Sequence, residues 1–465
     1  MVVRHRRGNA KEGEEERGSL DWLVQAGVER MHQDKAAMFE LIDLDRSNLF
    51  SVGGAGALRC SDTGRDTPVE KLVDVPGLLL YAIEILQEEV LMVFLQVPSV
   101  PEAFATPFLD RGVRALAETG STVYVARLDA VERIPGFVPT NKLSPDNQAR
   151  ILIVWNTGRC GSTLMHKMLR KLGVVSFSEP FWLDNIATLP SHGMDHDMIG
   201  RVFGVCAAMD ISLARRSLPA HAPTFGAPSA LGSGHISFNP KSSGFTVMEP
   251  IMKALPNARH MLMYRDVRKV IESFGSIFQE EPSAFGKLFN GLNPWRRRKM
   301  MTPPPEKGVV RPIYSEAVAQ ALASGDIVRP TNPFVERMSL GWMQSICLWE
   351  ELVQTGAVNS GSTASLRMND FTRKEPKLIE SIIRFFFGAD VEVGEDVIAT
   401  SLEAFDTHSQ AGDLMAKSSH NPRVGKARFL SPADLREIER VTAGVRAIGS
   451  PEYIIPGSLG APVPE

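Results

Sequence analysis

Cysteine is scarce in this chain of 465 residues: four occur, Cys60, Cys160, Cys206 and Cys347, far apart and never as a C-x-x-C pair. That spacing argues against a disulfide framework or a zinc cluster and makes a reducing compartment the expectation. The ten histidines form no H-E-x-x-H array, so no bound metal is expected. An excess of charge is also missing. The formal net charge is −3, whereas a general nucleic-acid binder is strongly basic, so no nucleic-acid partner is expected. No long apolar run is free of charge. The best membrane candidate, "GLLLYAIEILQEEVLMVFLQV" (Gly77 to Val97), is interrupted by Glu84, Gln87, Glu88 and Glu89. Carboxylates are costly in lipid, so a buried or amphipathic soluble helix is expected there and no membrane span. The opening "MVVRHRRGNAKEGEEERGSL" has charges of both signs and no apolar core, so no secretory signal is expected. With the unpaired cysteines, this points to the cytoplasm. No internal repeat is visible.

What the chain does contain is more residues than one hydrophobic core normally serves, so two domains, or one domain with an extension, are expected. Its 43% hydrophobic and 23% charged residues are ordinary for a globular protein. Residues 1–20 read as a disordered tail and residues 21–147 as an accessory region of no recognisable family. That region is expected to be mainly helical, from the apolar spacing in "SLDWLVQAGVERMHQDKAAMFELIDL", with a strand signal near Val123 to Leu128. "IPGFVPTNKLSPDNQAR" reads as a linker.

From residue 148 to about 450 strands and helices alternate, and 451–465 reads as a C-terminal tail. Ile151 to Trp155 is a continuous apolar run, as in a strand buried on both faces. Val174 to Phe177, His260 to Tyr264 and "ASLRMND" are further strands. "TVMEPIMKAL", "DVRKVIESFGSIF", Val335 to Leu352 and "EPKLIESIIRFFFG" are helical, and Ser431-Pro432-Ala433-Asp434 supplies a helix start with cap, proline and acid in place. Such alternation predicts an α/β fold with a central parallel sheet flanked by helices. Met194 to Gly234 and Asn293 to Gly308 are poorly patterned and read as long loops. Loops of that kind often wall a substrate.

The turn "TGRCGST" joins the first of these strands to a helix. Gly158 and Gly161 allow backbone conformations closed to other residues and a close approach of N–H groups to an anion. The helix starting near Ser162 favours negative charge at its N-terminus. Ser162 and Thr163 add hydroxyls, and Arg159 adds a permanent cation. A phosphate site and a plain strand–helix turn are both compatible with this stretch. The turn is not G-x-x-x-x-G-K-[ST], because Ser162 follows Gly161 with no lysine between. It is not a cysteine-phosphatase loop either, because His166 stands where an arginine is needed.

A second element is "RDVRKVIES". Arg265 leaves a strand and Ser273 lies eight residues on, just over two helical turns along. The two can converge on one phosphate, or the stretch can be a surface ion-pair cluster.

Together these motifs resemble the sulfotransferases that use 3′-phosphoadenosine 5′-phosphosulfate (PAPS). In that family a loop similar to "TGRCGSTL" binds the 5′-phosphosulfate, and a later R-x-P-x-x-x-x-x-S pattern binds the 3′-phosphate. Here the arginine-to-serine spacing is kept and Val267 replaces the usual proline. "LRMNDFTRKEPKLIESIIRFF" resembles the family's later R-Y-E-D-L segment and its following helix. The resemblance covers about 148–450 and not the N-terminal third. It implies a three-layer P-loop-like fold and transfer of a sulfuryl group from PAPS to a hydroxyl or amine of a small-molecule or carbohydrate acceptor.

The resemblance assigns the co-substrate to Gly158, Arg159, Cys160, Gly161, Ser162, Thr163, Arg265 and Ser273. It assigns Arg159 a further role in catalysis, stabilising charge on the leaving phosphate. Glu179, in "SFSEPFW", matches an acidic residue that acts as general base in several branches; the competing reading is an ion-paired or helix-start carboxylate. Arg423, Gly425 and Lys426, in "SSHNPRVGKARF", match a basic loop that closes over the 3′-phosphate, or else form a plain basic surface loop. Lys241 is a weaker candidate, and "WRRRK" (Trp295 to Lys299) either attracts an acidic acceptor or is a solvated charge run. Cys160 is either a thiol activated at a helix start or a small loop residue. Acceptor walls are expected from Met194 to Gly234 and Ala284 to Glu306. Two other functions share the phosphate turn: an atypical P-loop kinase or nucleotide hydrolase, and a silent nucleotide-binding scaffold.

Overall fold

A computed structural model describes residues 34–44, 58–86, 89–218, 234–279, 315–327, 330, 332–406, 430–445 and 448–460. The chain divides into two units, Met1–Gln148 with Phe177–Gly226, and Ala149–Ser176 with Ala227–Glu465.

The first unit is built on β-structure, which corrects the expectation of a mainly helical N-terminal region. Strands β1 (Lys35–Leu44), β2 (Leu58–Pro68), β3 (Leu78–Leu86), β4 (Glu89–Gln96) and β5 (Thr122–Arg127) form one sheet in the order β2-β1-β5-β4-β3. Its neighbours pair antiparallel. The misleading spacing in β1 has a physical cause. Register shifts at Met38/Phe39 and Leu41/Asp43 break the strand's alternation. They leave Ala36, Ala37, Phe39, Leu41 and Leu44 buried at irregular intervals that mimic a helical face.

The stretch Gly77 to Val97 is likewise a hairpin and not a helix. Leu78 pairs with Gln96 at one end and Leu86 with Glu89 at the other. Leu78 to Ile83 and Val90 to Leu95 are buried without interruption, so both strands lack the period of two that would betray them. Glu89, read as a break in an apolar run, is ion-paired with Arg127. Near Val123, strand β5 lies where expected.

The segment beyond Met194, expected as loop, begins with a 22-residue helix, His196–Ser217, capped by Asp195, whose carboxylate accepts from the Met198 amide at 2.8 Å. Val202, Phe203, Val205, Cys206, Ala207, Met209 and Leu213 are all buried. A helix buried on nearly every side has no polar face, so it shows no amphipathic period.

The other sheet consists of β6 (Ile151–Asn156), β7 (Val175–Ser178), β8 (Ile236–Asn239), β9 (Arg259–Tyr264) and β10 (Thr363–Arg367), in the order β10-β9-β6-β8-β7; β6, β8, β9, β10 and the start of β7 belong to the second unit. Strands β8, β6, β9 and β10 run parallel. On one face Leu152, Val154, Met261, Met263 and Leu366 share a core with the helices Ser162–Lys171 and Pro376–Phe387. On the other, Trp155 and His260 stack at 6.4 Å, and the His260 ring bonds the Leu255 carbonyl just past the helix Met248–Ala254. This mixed α/β arrangement, a parallel sheet covered on both sides, is compatible with a three-layer α/β fold. The helix Val267–Gln279 packs on the long helix Pro333–Gln354, as does Pro432–Ala443. The last of these starts with the expected capping box, Ser431 with Asp434. Among the described residues, no helix is long and apolar enough to cross a membrane.

Candidate functional site

The turn after β6 holds three residues at positive φ. Gly158, Arg159 and Gly161 have φ of 81°, 52° and 89°. Glycine tolerates that region; an arginine there costs free energy and needs its surroundings to hold it. The surroundings do so. The Gly158 amide donates to the Asn156 side-chain oxygen at 3.0 Å, and the Asn156 side-chain amide donates to the Pro240 carbonyl at 2.6 Å. The Thr157 amide donates to the Met263 carbonyl at 3.1 Å. The turn is thus moored to the ends of β6, β8 and β9 at once. A side chain at position 158 would also meet the Phe274 ring at 2.8 Å, so glycine is required by space as well as by conformation.

Gly161 caps the helix Ser162–Lys171 and has no side chain to accept the first-turn amides. Those amides and the helix dipole therefore present a positive end to the turn. Thr163 is buried and Ser162 half-buried beside it. Cys160 is fully buried, and burial pushes its thiol up to about 11. Burial thus disfavours the thiolate form.

The second element reaches this turn directly. Arg159 Nε donates to Ser273 Oγ at 3.0 Å, and Arg265 Nη1 donates to the Arg159 carbonyl at 3.3 Å. Arg265 is itself positioned by Trp342, whose indole N–H donates to the Arg265 carbonyl at 2.8 Å. Its Nε is buried and has no hydrogen-bond partner. Burial lowers the affinity of this guanidinium for its proton, opposed by nearby Cys160 and Asp266.

The ion-pair cluster considered for this stretch also exists, but it excludes Arg265. Arg268 grips Asp266 at 2.8 Å and also pairs with Glu452. Among the described residues Arg265 forms no ion pair. A half-buried arginine with a buried, idle N–H, beside a glycine turn and a helix N-terminus, is an arrangement that suits an anion.

The structure therefore brings together Gly158, Arg159, Cys160, Gly161, Ser162, Thr163, Arg265 and Ser273. Asn156 and Trp342 were not foreseen. The sequence carries no mark of either role, since both act by holding backbone that is distant in the chain. Arg367 and Asp370, in the third resembling segment, form a two-pronged ion pair at 2.9 and 3.0 Å and lock the end of β10. Glu179 belongs to the first unit. It follows directly on β7, has a φ of 52°, and its charge supports the Arg111 guanidinium against the effect of burial. Arg423, Gly425, Lys426, the Trp295 to Lys299 run and the Ala284 to Glu306 segment lie outside the described residues.

No protein-family model matches the chain. No curated protein matches it either.

Proposed function

We propose that this protein is a PAPS-dependent sulfotransferase on a P-loop-like fold, acting on a hydroxyl or amine of a small-molecule or carbohydrate acceptor. One observation carries the reading: Arg159, Arg265 and Ser273 converge at hydrogen-bond distance on the glycine turn, with the buried Arg265 Nε left for an anion. Two anion-binding segments that touch through a single arginine suit a ligand with two phosphates held close together. The reading is further supported by what the turn lacks, a lysine between Gly161 and Ser162, which phosphoryl-transfer turns of the P-loop class use.

The reaction is an in-line displacement. The acceptor oxygen forms a bond to sulfur while the bond from sulfur to the 5′-phosphate oxygen breaks, releasing adenosine 3′,5′-bisphosphate. Negative charge grows on that leaving phosphate. Arg159, the turn amides, Ser162 and Thr163 stabilise it, so catalysis rests on positioning and fixed charge. The acceptor's proton passes to a carboxylate base. A base in that role is worth about 10²–10⁴ in rate. The cytoplasm is the proposed location, supported by four cysteines that all stand as free, buried thiols.

Titration calorimetry with adenosine 3′,5′-bisphosphate, AMP and ATP, each with and without magnesium, tests this reading. Metal-independent binding of the bisphosphate in preference to both others is expected. Magnesium-dependent ATP binding with turnover would replace the assignment with a kinase or hydrolase.

A further inference from the structure

Residues 450–460, most of which read from the sequence as a tail, are built to hold a shape. Ile455-Pro456-Gly457-Ser458 is a Pro–Gly turn. Pro456 presets its own φ, Gly457 takes a φ of 72°, and the Ser458 amide donates to the Ile455 carbonyl at 3.1 Å. Closing the turn lets both of its ends reach one atom. The Ile455 amide donates to Tyr264 Oη at 3.1 Å, and Ser458 Oγ bonds the same hydroxyl at 2.8 Å. Tyr264, Ile455 and Ser458 are all buried, so water does not compete for these bonds.

Tyr264 is the last residue of β9, and Arg265 follows it. The segment holds the chain on both sides of that arginine. Before it stands Tyr264. After it, the Val267 amide, which has no partner within its own helix, donates to the Pro451 carbonyl at 3.4 Å, and Arg268 pairs with Glu452. Tyr453 Oη donates to Glu350 at 2.5 Å on the helix Pro333–Gln354, the helix whose Trp342 bonds the Arg265 carbonyl. The far end is fixed to the sheet. Ser458 Oγ bonds Ser365 Oγ at 2.8 Å, the Leu459 amide donates to the Ser365 carbonyl at 2.8 Å, and Leu459 pairs parallel with Leu366 on β10.

We infer that residues 450–460 form a strap that sets the position of Arg265, with Tyr264 as the positioning residue through which it acts. This inference rests on the reading of Arg265 as a phosphate ligand and deepens it. Arg265 Nη1 reaches the Arg159 carbonyl at 3.3 Å, near the long end for a hydrogen bond, so a small shift at the end of β9 breaks the contact and re-aims the guanidinium. The Tyr264 hydroxyl prevents that shift. Without it the buried Ile455 amide has no acceptor, and an unpaired buried donor favours lifting the strap away. Linkage makes the effect reciprocal: the seated strap favours a phosphate on Arg265 by the same factor as that phosphate favours the seated strap.

The test is calorimetry of Tyr264→Phe, which removes the hydroxyl and keeps the ring, with adenosine 3′,5′-bisphosphate and with AMP. Bisphosphate affinity is expected to fall about fivefold, the effect of one hydrogen bond, and AMP affinity to stay within about twofold. Ser458→Ala is expected to act in the same direction and keeps the test open should Tyr264→Phe fail to fold, which thermal melting reports. Amide hydrogen exchange supplies the reciprocal measurement. Saturating bisphosphate is expected to slow exchange across residues 450–460 in wild-type protein but not in Arg265→Ala. A strap that is merely structural would lower the melting temperature in the variants and leave both the bisphosphate preference and the ligand's effect on exchange unchanged. That result would overturn the positioning role and leave the sulfotransferase reading intact. Failure of wild-type protein to bind the bisphosphate would overturn that reading instead, and the strap's role with it.

Discussion

Arg159 and Ser273, 114 residues apart, are joined by a hydrogen bond of 3.0 Å from guanidinium Nε to hydroxyl Oγ. The contact ties the glycine turn to the helix Val267–Gln279 and makes one site of two sequence motifs. Ser273→Ala is expected to weaken adenosine 3′,5′-bisphosphate binding about tenfold, the size of one hydrogen bond to a charged group, with AMP affinity nearly unchanged. Calorimetry on both nucleotides checks it.

Gly158 is held at a φ of 81° with the Phe274 ring close by. Gly158→Ala adds left-handed strain and forces that ring aside. A loss of about 1–3 kcal/mol in unfolding free energy is expected, with nucleotide binding reduced as well. Denaturant melts and calorimetry report the two effects separately.

The Asp210 carboxyl is buried, accepts from the Trp182 indole N–H at 2.6 Å, and is raised by burial well above its ordinary value of 3.8. Below that value both folded and unfolded forms are protonated and nothing is lost. As pH rises, the unfolded chain ionises first and stability falls until the folded group also titrates. Asp210→Asn keeps an acceptor for the indole and removes the titration. The stability of the variant relative to wild type is therefore expected to rise as pH climbs above the ordinary value of 3.8, measured by denaturant melts across a pH series.

How much of this was legible in the sequence depended on what kind of partner each residue needed. β6 could be read because a strand buried on both faces is simply apolar, and the turn after it because glycine and helix-start residues follow in order. The hairpin of β3 and β4 could not, because burial on both faces removed the alternation that separates strand from helix. The helix His196–Ser217 escaped for the matching reason. Within the site, Arg159, Arg265 and Ser273 announced themselves by spacing, whereas Asn156 did not. It is an ordinary asparagine whose meaning lies in a strand end brought beside it by the sheet.

His260 shows the opposite pH dependence. Burial pushes its imidazole down to about 4, from 6.5, while Nε2 bonds the Leu255 carbonyl at 3.0 Å and Nδ1 faces the Trp155 indole N–H at 3.4 Å. The folded pKa is depressed, so its contribution is full above 6.5 and is lost as pH falls toward 4. That loss runs at up to about 1.4 kcal/mol per pH unit. His260→Gln is expected to flatten the acid limb of a stability-against-pH curve by that slope.

The central claim is that Arg265 holds one phosphate of a doubly phosphorylated adenosine. Calorimetry of Arg265→Ala with adenosine 3′,5′-bisphosphate and with AMP tests it most directly. About a tenfold or greater loss is predicted for the bisphosphate and almost none for AMP, as expected when one charged hydrogen bond to the extra phosphate disappears. Equal losses for the two nucleotides would contradict it.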